Sequence, residues 1–256
     1  MRNGVGKTTL LSLMSNQAPL SGGSITLDGE PVWENRKAIS RICFSRELNV
    51  SSEGSLGGYT LKKYLATAAE YLPHWDQKMA DKLLTLFRLD KKKRLGTLSQ
   101  GILSTVTILI ALASKAEYTF LDEPVAGLDV VDREQFYRLL LQEYADTGRT
   151  FVISTHILEE ASDLMEEVIL LKDGGIVLKE NTQSLLQRAC QVSGLDSQVD
   201  EAVRGLTQYR PEILGRRKSV TVLLGEGECV KEGLDVTVQP VSLQRLFSAI
   251  CGEDTP

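Results

Sequence analysis

The chain has no closely spaced pair of cysteines, no long apolar run and no excess of basic residues, and each absence argues against a class of protein. Its four cysteines are scattered, with no C-x-x-C pair, which favours a reducing compartment and offers no metal site. The longest apolar run, residues 102–113, is far shorter than the roughly 20 residues that a membrane-spanning helix needs. The formal net charge of -5 argues against general affinity for nucleic acid or anionic lipid. The N-terminal residues show no basic-then-apolar signal sequence.

The length and composition predict one soluble domain with a smaller appendage. At 256 residues, 42% of them hydrophobic and 25% charged, the chain can bury one substantial core. The pattern changes near Cys190, after which short helical and strand-like segments alternate. We therefore expect one domain over residues 1–188 and a C-terminal accessory region over residues 189–256.

Short apolar segments alternate with helical ones before that boundary, which predicts an α/β fold with a mostly parallel sheet. Helical periodicity predicts helices over residues 61–72 and 79–86, and Gly148 is expected to end a third. The apolar run 102–113 predicts a buried helix headed by LSQG. The strand candidates are RICFS (41–45), YTFL (118–121) and TFVIS (150–154).

Other local patterns give further expectations. GGSITLDGE (22–30) predicts one strand between turns, residues 49–58 a loop, and DKKKRLG (90–96) a solvated helix end. EVILLKDGGIVLKE (167–180) predicts a hairpin around its Asp-Gly-Gly turn. The accessory region is expected to hold a helix at 196–206, strands at 219–224 and 234–240, and a closing helix at 242–250.

Polar residues follow each of the three strand candidates. Glu47 comes after the first, Asp122 and Glu123 after the second, and Thr155 and His156 after the third. Parallel sheets bind ligands beyond the carboxyl ends of their strands. The sequence therefore predicts that these side chains share one edge of the sheet, where the layout favours a nucleoside-triphosphate site.

A glycine loop at the start of the chain belongs to that edge. Gly6, Lys7 and Thr8 supply the second half of G-x-x-x-x-G-K-[ST], whose backbone N–H groups cradle phosphates. Lys7 would neutralise the β- and γ-phosphate oxygens, and Thr8 would bind Mg²⁺ beside Asp122. Glu123 would polarise the attacking water.

In this order the motifs resemble those of the ATP-binding cassette (ABC) of ABC transporters, from residue 1 to about residue 180. NGVGKTT resembles the Walker A loop, LSQG the signature motif that separates this family from other P-loop ATPases, and YTFLDEP resembles Walker B. AGLD (126–129) resembles the D-loop and STH (154–156) the switch-histidine loop. The resemblance implies a P-loop NTPase (RecA-like) fold, with a helical subdomain inserted over about residues 50–113.

The resemblance also implies ATP and Mg²⁺ as cofactors and a head-to-tail dimer, either a homodimer or a paired cassette. Ser99 and Gly101 of one subunit would close over ATP at Lys7 of the other. The catalytic residues would be Glu123, His156 and Glu47, and the metal would lie at Thr8, Asp122 and Glu47. The nucleotide-binding residues would be Asn3, Gly4, Val5, Gly6, Lys7, Thr8, Thr9, Ser99, Gln100, Gly101 and Asp129.

Three features depart from the family pattern. Glu47 aligns with a glutamine and adds a negative charge beside the metal, while Gln100 replaces the first signature glycine. The strands that precede Walker A in the family are missing, together with the aromatic residue that stacks on adenine. Met1 stands where the first glycine of the loop belongs. We therefore expect a truncated or mis-started reading frame of an otherwise ordinary cassette; the chain as printed would bind ATP poorly.

The tail, residues 236–250, resembles the C-terminal end of cassettes that are paired with separate ABC-2-type export permeases. The expected function is an ATPase subunit that powers such an exporter of drugs, peptides or similar substrates. Its expected location is the cytoplasm, at the inner face of the membrane through the permease, with no nucleic-acid partner. Two alternatives stay open: a soluble ABC ATPase with no role in transport, and a truncated, catalytically impaired cassette.

Overall fold

The computed structural model describes residues 5–50, 56–158 and 161–252, which divide into two units. The first unit is Gly6–His156, and the second begins at Ile157. The boundary that composition predicts at residues 188/189 falls within the second unit and stays a prediction about domains. The elements of the first unit, in chain order, are α1 (Lys7–Met14), β1 (Thr26–Leu27), β2 (Glu30–Pro31), α2 (Arg36–Ile39), β3 (Ile42–Ser45), α3 (Leu61–Tyr71), α4 (Gln77–Leu86), α5 (Gln100–Ala113), β4 (Tyr118–Asp122), α6 (Val130–Thr147) and β5 (Thr150–Ser154).

A three-stranded parallel sheet in the order β3-β4-β5 forms the centre of the first unit. Its strands are the three apolar segments expected from the sequence, and the mixed α/β fold with a parallel sheet is confirmed. Both faces are covered, since α1 packs against β4 and α5 packs against β3. Phe120 and Leu121 of the middle strand are therefore buried, each contributing about 1.5–3 kcal/mol of stability.

Helix α5 is the apolar run of the sequence, and it is buried as expected. Nine of its 14 residues are buried, because apolar side chains occur all around the helix. The Ser99 side chain caps its first turn, accepting a hydrogen bond from the Ile102 N–H at 3.4 Å. Within the described ranges, no helix has both the length and the apolar character needed to cross a membrane.

Two further helices, α3 and α4, occupy the segment predicted to be a helical subdomain. Thr60 caps α3 and Asp76 caps α4, each by accepting a hydrogen bond from a first-turn N–H. Pro73 follows the end of α3, as the sequence predicted. Helix α4 packs against α5, and the subdomain boundaries at about residues 50–113 stay a prediction.

Several local expectations needed correction. The segment 22–30 holds the strand β1, which is only two residues long and pairs with the equally short β2 in a hairpin. The basic run 90–96 lies beyond the end of α4, in a turn where Lys91 pairs with Asp81 at 2.8 Å, so it is not a helix end. Leu56–Gly58 of the predicted loop is a 3₁₀ turn, while residues 51–55 lie outside the described ranges.

Gly148 ends α6 because it adopts a left-handed backbone conformation, with φ of 65°. A residue with a Cβ is disfavoured there, and the Gly148 N–H donates to the Tyr144 carbonyl to close the last turn. The helix then gives way to β5 two residues later, as predicted.

The second unit contains a hairpin and a four-stranded antiparallel sheet. The sheet strands are β8 (Ala189–Leu195), β9 (Thr207–Leu214), β10 (Arg217–Leu223) and β11 (Val236–Pro240), and their order in the sheet is β11-β8-β10-β9. The hairpin, the helix after residue 195, both predicted strands and the closing helix are confirmed. Strands β8 and β9 were not predicted, because β8 carries Gln, Ser and Gly and β9 is mostly exposed. The other elements are β6 (Glu167–Lys172), β7 (Gly175–Asn181), α7 (Thr182–Arg188), α8 (Asp196–Ala202) and α9 (Leu243–Cys251).

Candidate nucleotide-binding site

The carboxyl ends of the parallel strands bring chemically active side chains to one edge of the sheet. Asp122 ends β4, and the register pairs it with Ser154 at the end of β5. Glu123 directly follows β4, and His156 is the second residue after β5. Because α1 packs on β4, its first residues reach the same edge.

Five of the predicted site residues are joined by contacts at this edge. The Thr8 hydroxyl donates to Asp122 Oδ2 at 2.5 Å. Glu123 Oε2 lies 2.8 Å from His156 Nδ1, and Glu123 Oε1 lies 3.8 Å from Lys7 Nζ. A carboxylate can only accept, so His156 Nδ1 carries the proton of its hydrogen bond.

The glycine loop enters α1 at Gly6, whose φ of 96° is accessible chiefly to glycine. The first intrahelical bond runs from the Leu10 N–H to the Gly6 carbonyl, at 2.8 Å. The N–H groups of the first turn, which includes Lys7, Thr8 and Thr9, have no acceptor within the helix, and this end of the helix favours anions. Val5 directly precedes the turn. The predicted residues Asn3 and Gly4 lie outside the described ranges.

The donor set at Thr8 and Asp122 fits a magnesium ion. Asp122 is 8% exposed, and its Oδ1 atom is buried with no hydrogen-bond partner in the described part of the chain. Buried carboxylate oxygens without partners are rare and costly, so this atom is suited to a ligand. Mg²⁺ prefers oxygen ligands and is usually held by one or two carboxylates together with substrate phosphates.

Glu123 has an unusual backbone that sequence reasoning missed. Its φ of 49° lies in the left-handed region, which is uncommon for residues other than glycine. The Glu123 N–H donates to the Ser154 carbonyl at 2.8 Å, which fixes the start of the loop after β4. Such conformations cluster at functional sites, and no residue pattern in LDEP signals one in advance.

The signature residues lie at the head of α5. Gln100 Nε2 donates to Glu47 Oε1 at 2.8 Å, and both side chains are exposed. Glu47 was expected beside the metal and the γ-phosphate. In the described residues its side-chain hydrogen bond is to Gln100. Its place beside the metal and the γ-phosphate stays a prediction.

Position 101 requires a glycine because the backbone of Gly127 approaches it closely. A Cβ atom at this position would lie 2.6 Å from the Gly127 carbonyl oxygen, which is much closer than a real contact allows. The Ser104 hydroxyl also donates to the Ala126 carbonyl at 2.8 Å. The head of α5 is thus tied to the loop that follows Glu123. Asp129, at the end of that loop, caps α6 by accepting from the Asp132 N–H.

A cleft of about 290 Å³ lies beside the segment after β3. Its lining combines apolar and polar side chains from β3, α3 and α5 with two charged side chains, Arg46 and Glu47, of the segment after β3. The lining residues are 44–48, Leu56, Tyr64, Thr107 and Ile110.

Comparisons with known proteins identify the family. The model of the family described as ABC transporter matches residues 2–126. The manganese transport system ATP-binding protein MntB of Listeria innocua is 34% identical over 66% of this chain and 72% of its own length. The chain belongs to the ABC transporter family. It is an ATPase cassette with the P-loop NTPase fold.

Two other relatives differ in how much of the cassette they match. The ABC transporter ATP-binding protein YtrB of Bacillus subtilis is 24% identical over 98% of this chain and 87% of its own length. The taurine import ATP-binding protein TauB of Pseudomonas putida is 35% identical over 66% of this chain and 64% of its own length. The relatives are thus ATP-binding proteins of transport systems, and one is an import protein.

A solved dimeric ATP-binding cassette, in a post-hydrolysis state with ADP and Pi, shares the fold. The TM-score is 0.59 at 22% identity, over 70% of this chain and 82% of the other. At that identity the likeness supports the fold assignment alone. The expectation of an ABC-2-type exporter is not confirmed by any of these comparisons.

Proposed function

We propose that this cassette binds and hydrolyses ATP to power a separately encoded membrane permease. The observation that carries the proposal is the convergence of Lys7, Thr8, Asp122, Glu123 and His156 at one edge of the sheet. These side chains supply a cation, a hydroxyl, two carboxylates and an imidazole. Their combination next to a helix N-terminus suits a triphosphate better than any other common ligand.

Binding would use the first turn of α1 and the side chain of Lys7. The unpaired N–H groups of the turn would donate to phosphate oxygens, and Lys7 would neutralise their charge. Thr8 and Asp122 would hold the Mg²⁺ that accompanies ATP, with Asp122 Oδ2 keeping the Thr8 hydroxyl oriented. When bound, Mg²⁺ supplies charge neutralisation at the β- and γ-phosphates.

The contacts of Glu123 suggest how the site changes when ATP arrives. In the structure its carboxylate contacts both Lys7 and His156. A γ-phosphate carries the same sign of charge and would compete for both partners. Glu123, released from Lys7, would then accept a proton from the attacking water, while His156 donates to the phosphate.

The lid over the nucleotide would come from a second cassette. Ser99, Gln100 and Gly101 lie at the start of α5, a 14-residue helix whose N-terminal end favours an anion. Within the described residues, no hydrogen bond or ion pair joins them to Lys7 or Glu123, which is consistent with their acting on the site of a partner. Asp129 would lie near that interface. The partner would be a second copy of this chain or a related, paired cassette.

The proposal covers two separate points, the existence of a membrane permease and the direction of transport. Relatives include ATP-binding proteins of transport systems, which supports a separate permease. We propose export because residues 236–250 resemble the tail of export cassettes. The import relative TauB matches 66% of this chain, whereas YtrB matches 98% of it.

Glu123→Gln tests the hydrolysis step. The substitution keeps the shape of the side chain and removes the proton acceptor, so we expect turnover to fall by about 10²–10⁴-fold. Binding of ATP, measured by calorimetry with Mg²⁺ present, should persist. Glu134→Gln, which makes the same change on an exposed residue of α6, is the matched control and should hydrolyse ATP at the parental rate. Equal turnover in the two variants, or a parental chain without turnover, contradicts the proposal.

The permease needs a separate test. An adjacent reading frame with about six membrane-length apolar segments is the expected partner gene. Co-expression should move this chain to the membrane fraction and make ATP turnover dependent on the permease. If the chain stays in solution with every neighbouring membrane protein, the transport role is refuted while the ATPase assignment stands.

A further inference from the structure

Two buried side-chain oxygens without partners lie at the ends of neighbouring strands. Asp122 Oδ1 and Ser154 Oγ each have no hydrogen-bond partner within the described ranges, and each residue is only 8% exposed. Native proteins bury few such groups, because a lost hydrogen bond to water is not replaced. Two of them at one place therefore call for an explanation that the fold alone does not give.

The sheet register places the two side chains on the same face. Asp122 is directly paired with Ser154 in the parallel ladder of β4 and β5. Paired residues of adjacent strands point to the same side of a sheet, and such strands lie about 4.8 Å apart. Asp122 reaches Thr8 of α1 on this face, so the Ser154 side chain also faces α1.

Solvent does not satisfy either atom, because both are inaccessible. A serine hydroxyl turns about a single side-chain bond, and its proton can be donated to a carboxylate on the neighbouring strand. The other carboxylate oxygen, Oδ2, already accepts from Thr8. A bond from Ser154 would therefore give each carboxylate oxygen one hydroxyl donor and leave each a second lone pair for the ion.

We propose that Ser154 is a positioning residue for the nucleotide-bound magnesium ion. The Ser154 hydroxyl donates to Asp122 Oδ1 when the nucleotide and Mg²⁺ bind. This step rests on the proposed function. The bond fixes the carboxylate that orients Thr8. Within the described residues the hydroxyl has no hydrogen-bond partner, so its removal costs the fold no such bond.

The test compares ADP affinity with Mg²⁺ and with EDTA, by calorimetric titration to ADP concentrations high enough to measure the weak nucleotide binding expected of this chain. In Ser154→Ala we expect the gain in affinity from Mg²⁺ to fall about tenfold, since hydrogen bonds to charged groups have that effect. The affinity in EDTA should stay within about twofold of the parent. Ser154→Thr keeps the hydroxyl and should keep the gain.

A matched control separates positioning from packing. Ser45 is also a buried serine at the end of a neighbouring strand, but its hydroxyl donates to the Thr107 carbonyl on the other face of the sheet. Ser45→Ala should leave the Mg²⁺ gain unchanged and lower the melting temperature of the nucleotide-free protein. Ser154→Ala should not lower it, because no bond is lost.

The inference is overturned if Ser154→Ala keeps the full gain in ADP affinity from Mg²⁺. It is also overturned if Ser45→Ala loses as much of that gain as Ser154→Ala does. It is equally overturned if Ser154→Ala melts earlier than the parent without nucleotide, which indicates a structural role. Absence of ADP binding by the parental chain, with or without Mg²⁺, is a different result, because it refutes the proposed function itself.

Discussion

The buried ion cluster around Glu143 of α6 provides the sharpest stability prediction. Glu143 is 3% exposed, and its Oε1 atom lies 2.6 Å from Lys115 Nζ and 3.3 Å from Arg149 Nη2. Arg149 is itself 6% exposed and also donates to the Leu112 carbonyl at 3.0 Å. One carboxylate therefore balances two cations, one of which has little access to water.

Glu143→Gln removes this charge with almost no change in shape. Burial lowers the pKa of the Arg149 guanidinium, and the negative charge of Glu143 acts against that shift. Without it, a buried cation loses its counter-charge. Breaking a buried pair in this way costs about 3–5 kcal/mol. With a urea m-value of about 3 kcal/mol per molar, the unfolding midpoint should fall by about 1 M or more.

The control is Glu134→Gln in the same helix, where Glu134 pairs with Arg138 at 2.9 Å and both side chains are more than 70% exposed. Exposed pairs of this kind contribute less than about 1 kcal/mol, so the midpoint should fall by no more than about 0.3 M. Raising the salt concentration to 1 M should abolish the small midpoint shift of Glu134→Gln and leave the large shift of Glu143→Gln, since salt screens buried pairs only weakly. Equal midpoint shifts in the two variants would refute the reasoning.

Three further predictions concern other parts of the molecule. The Arg41 guanidinium lowers the pKa of Glu117. The pair therefore stabilises the fold above the ordinary glutamate pKa, and this stabilisation is lost as the pH falls through the lowered pKa. Glu117→Gln should consequently show a smaller drop in urea midpoint between pH 5 and pH 3 than the parent. Burial raises the pKa of the Cys43 thiol, and peptide mapping after iodoacetamide treatment at pH 8 should find the exposed Cys229 alkylated long before Cys43. Val192→Ala, in the fully buried core of the second unit, should cost about 2 kcal/mol of unfolding free energy in the same urea assay; no measurable loss would show that the core re-packs.

The strand ends were predictable because they combine two strong local signals. Each strand is a short apolar run, and each is followed by polar residues that a buried strand cannot contain. The parallel arrangement then brings Asp122, Glu123 and His156 to one edge, as the structure shows. The glycine turn before α1 is also local, since Gly6 alone provides the left-handed residue that the turn requires.

The features that were missed depend on distant partners. The bond between Gln100 and Glu47 joins exposed side chains 53 residues apart, and no spacing in the sequence encodes it. Strand β9 is mostly exposed and contains Pro211, so it lacks the alternation that marks a half-buried strand. The left-handed backbone of Glu123 comes from the loop that follows it, which residue preferences do not reveal.

Two kinds of contact of very different strength hold the head of α5. Gly101 meets the Gly127 carbonyl backbone to backbone, and Ser104 adds a hydrogen bond to the same loop. The contact from Gln100 to Glu47 is a single bond between exposed side chains, worth about 0.5–1.5 kcal/mol. We therefore expect the Gln100–Glu47 bond to break more readily than the contacts that join α5 to the loop after Glu123. On this expectation Glu47, rather than a residue at the head of α5, is the one that changes partner when a triphosphate binds.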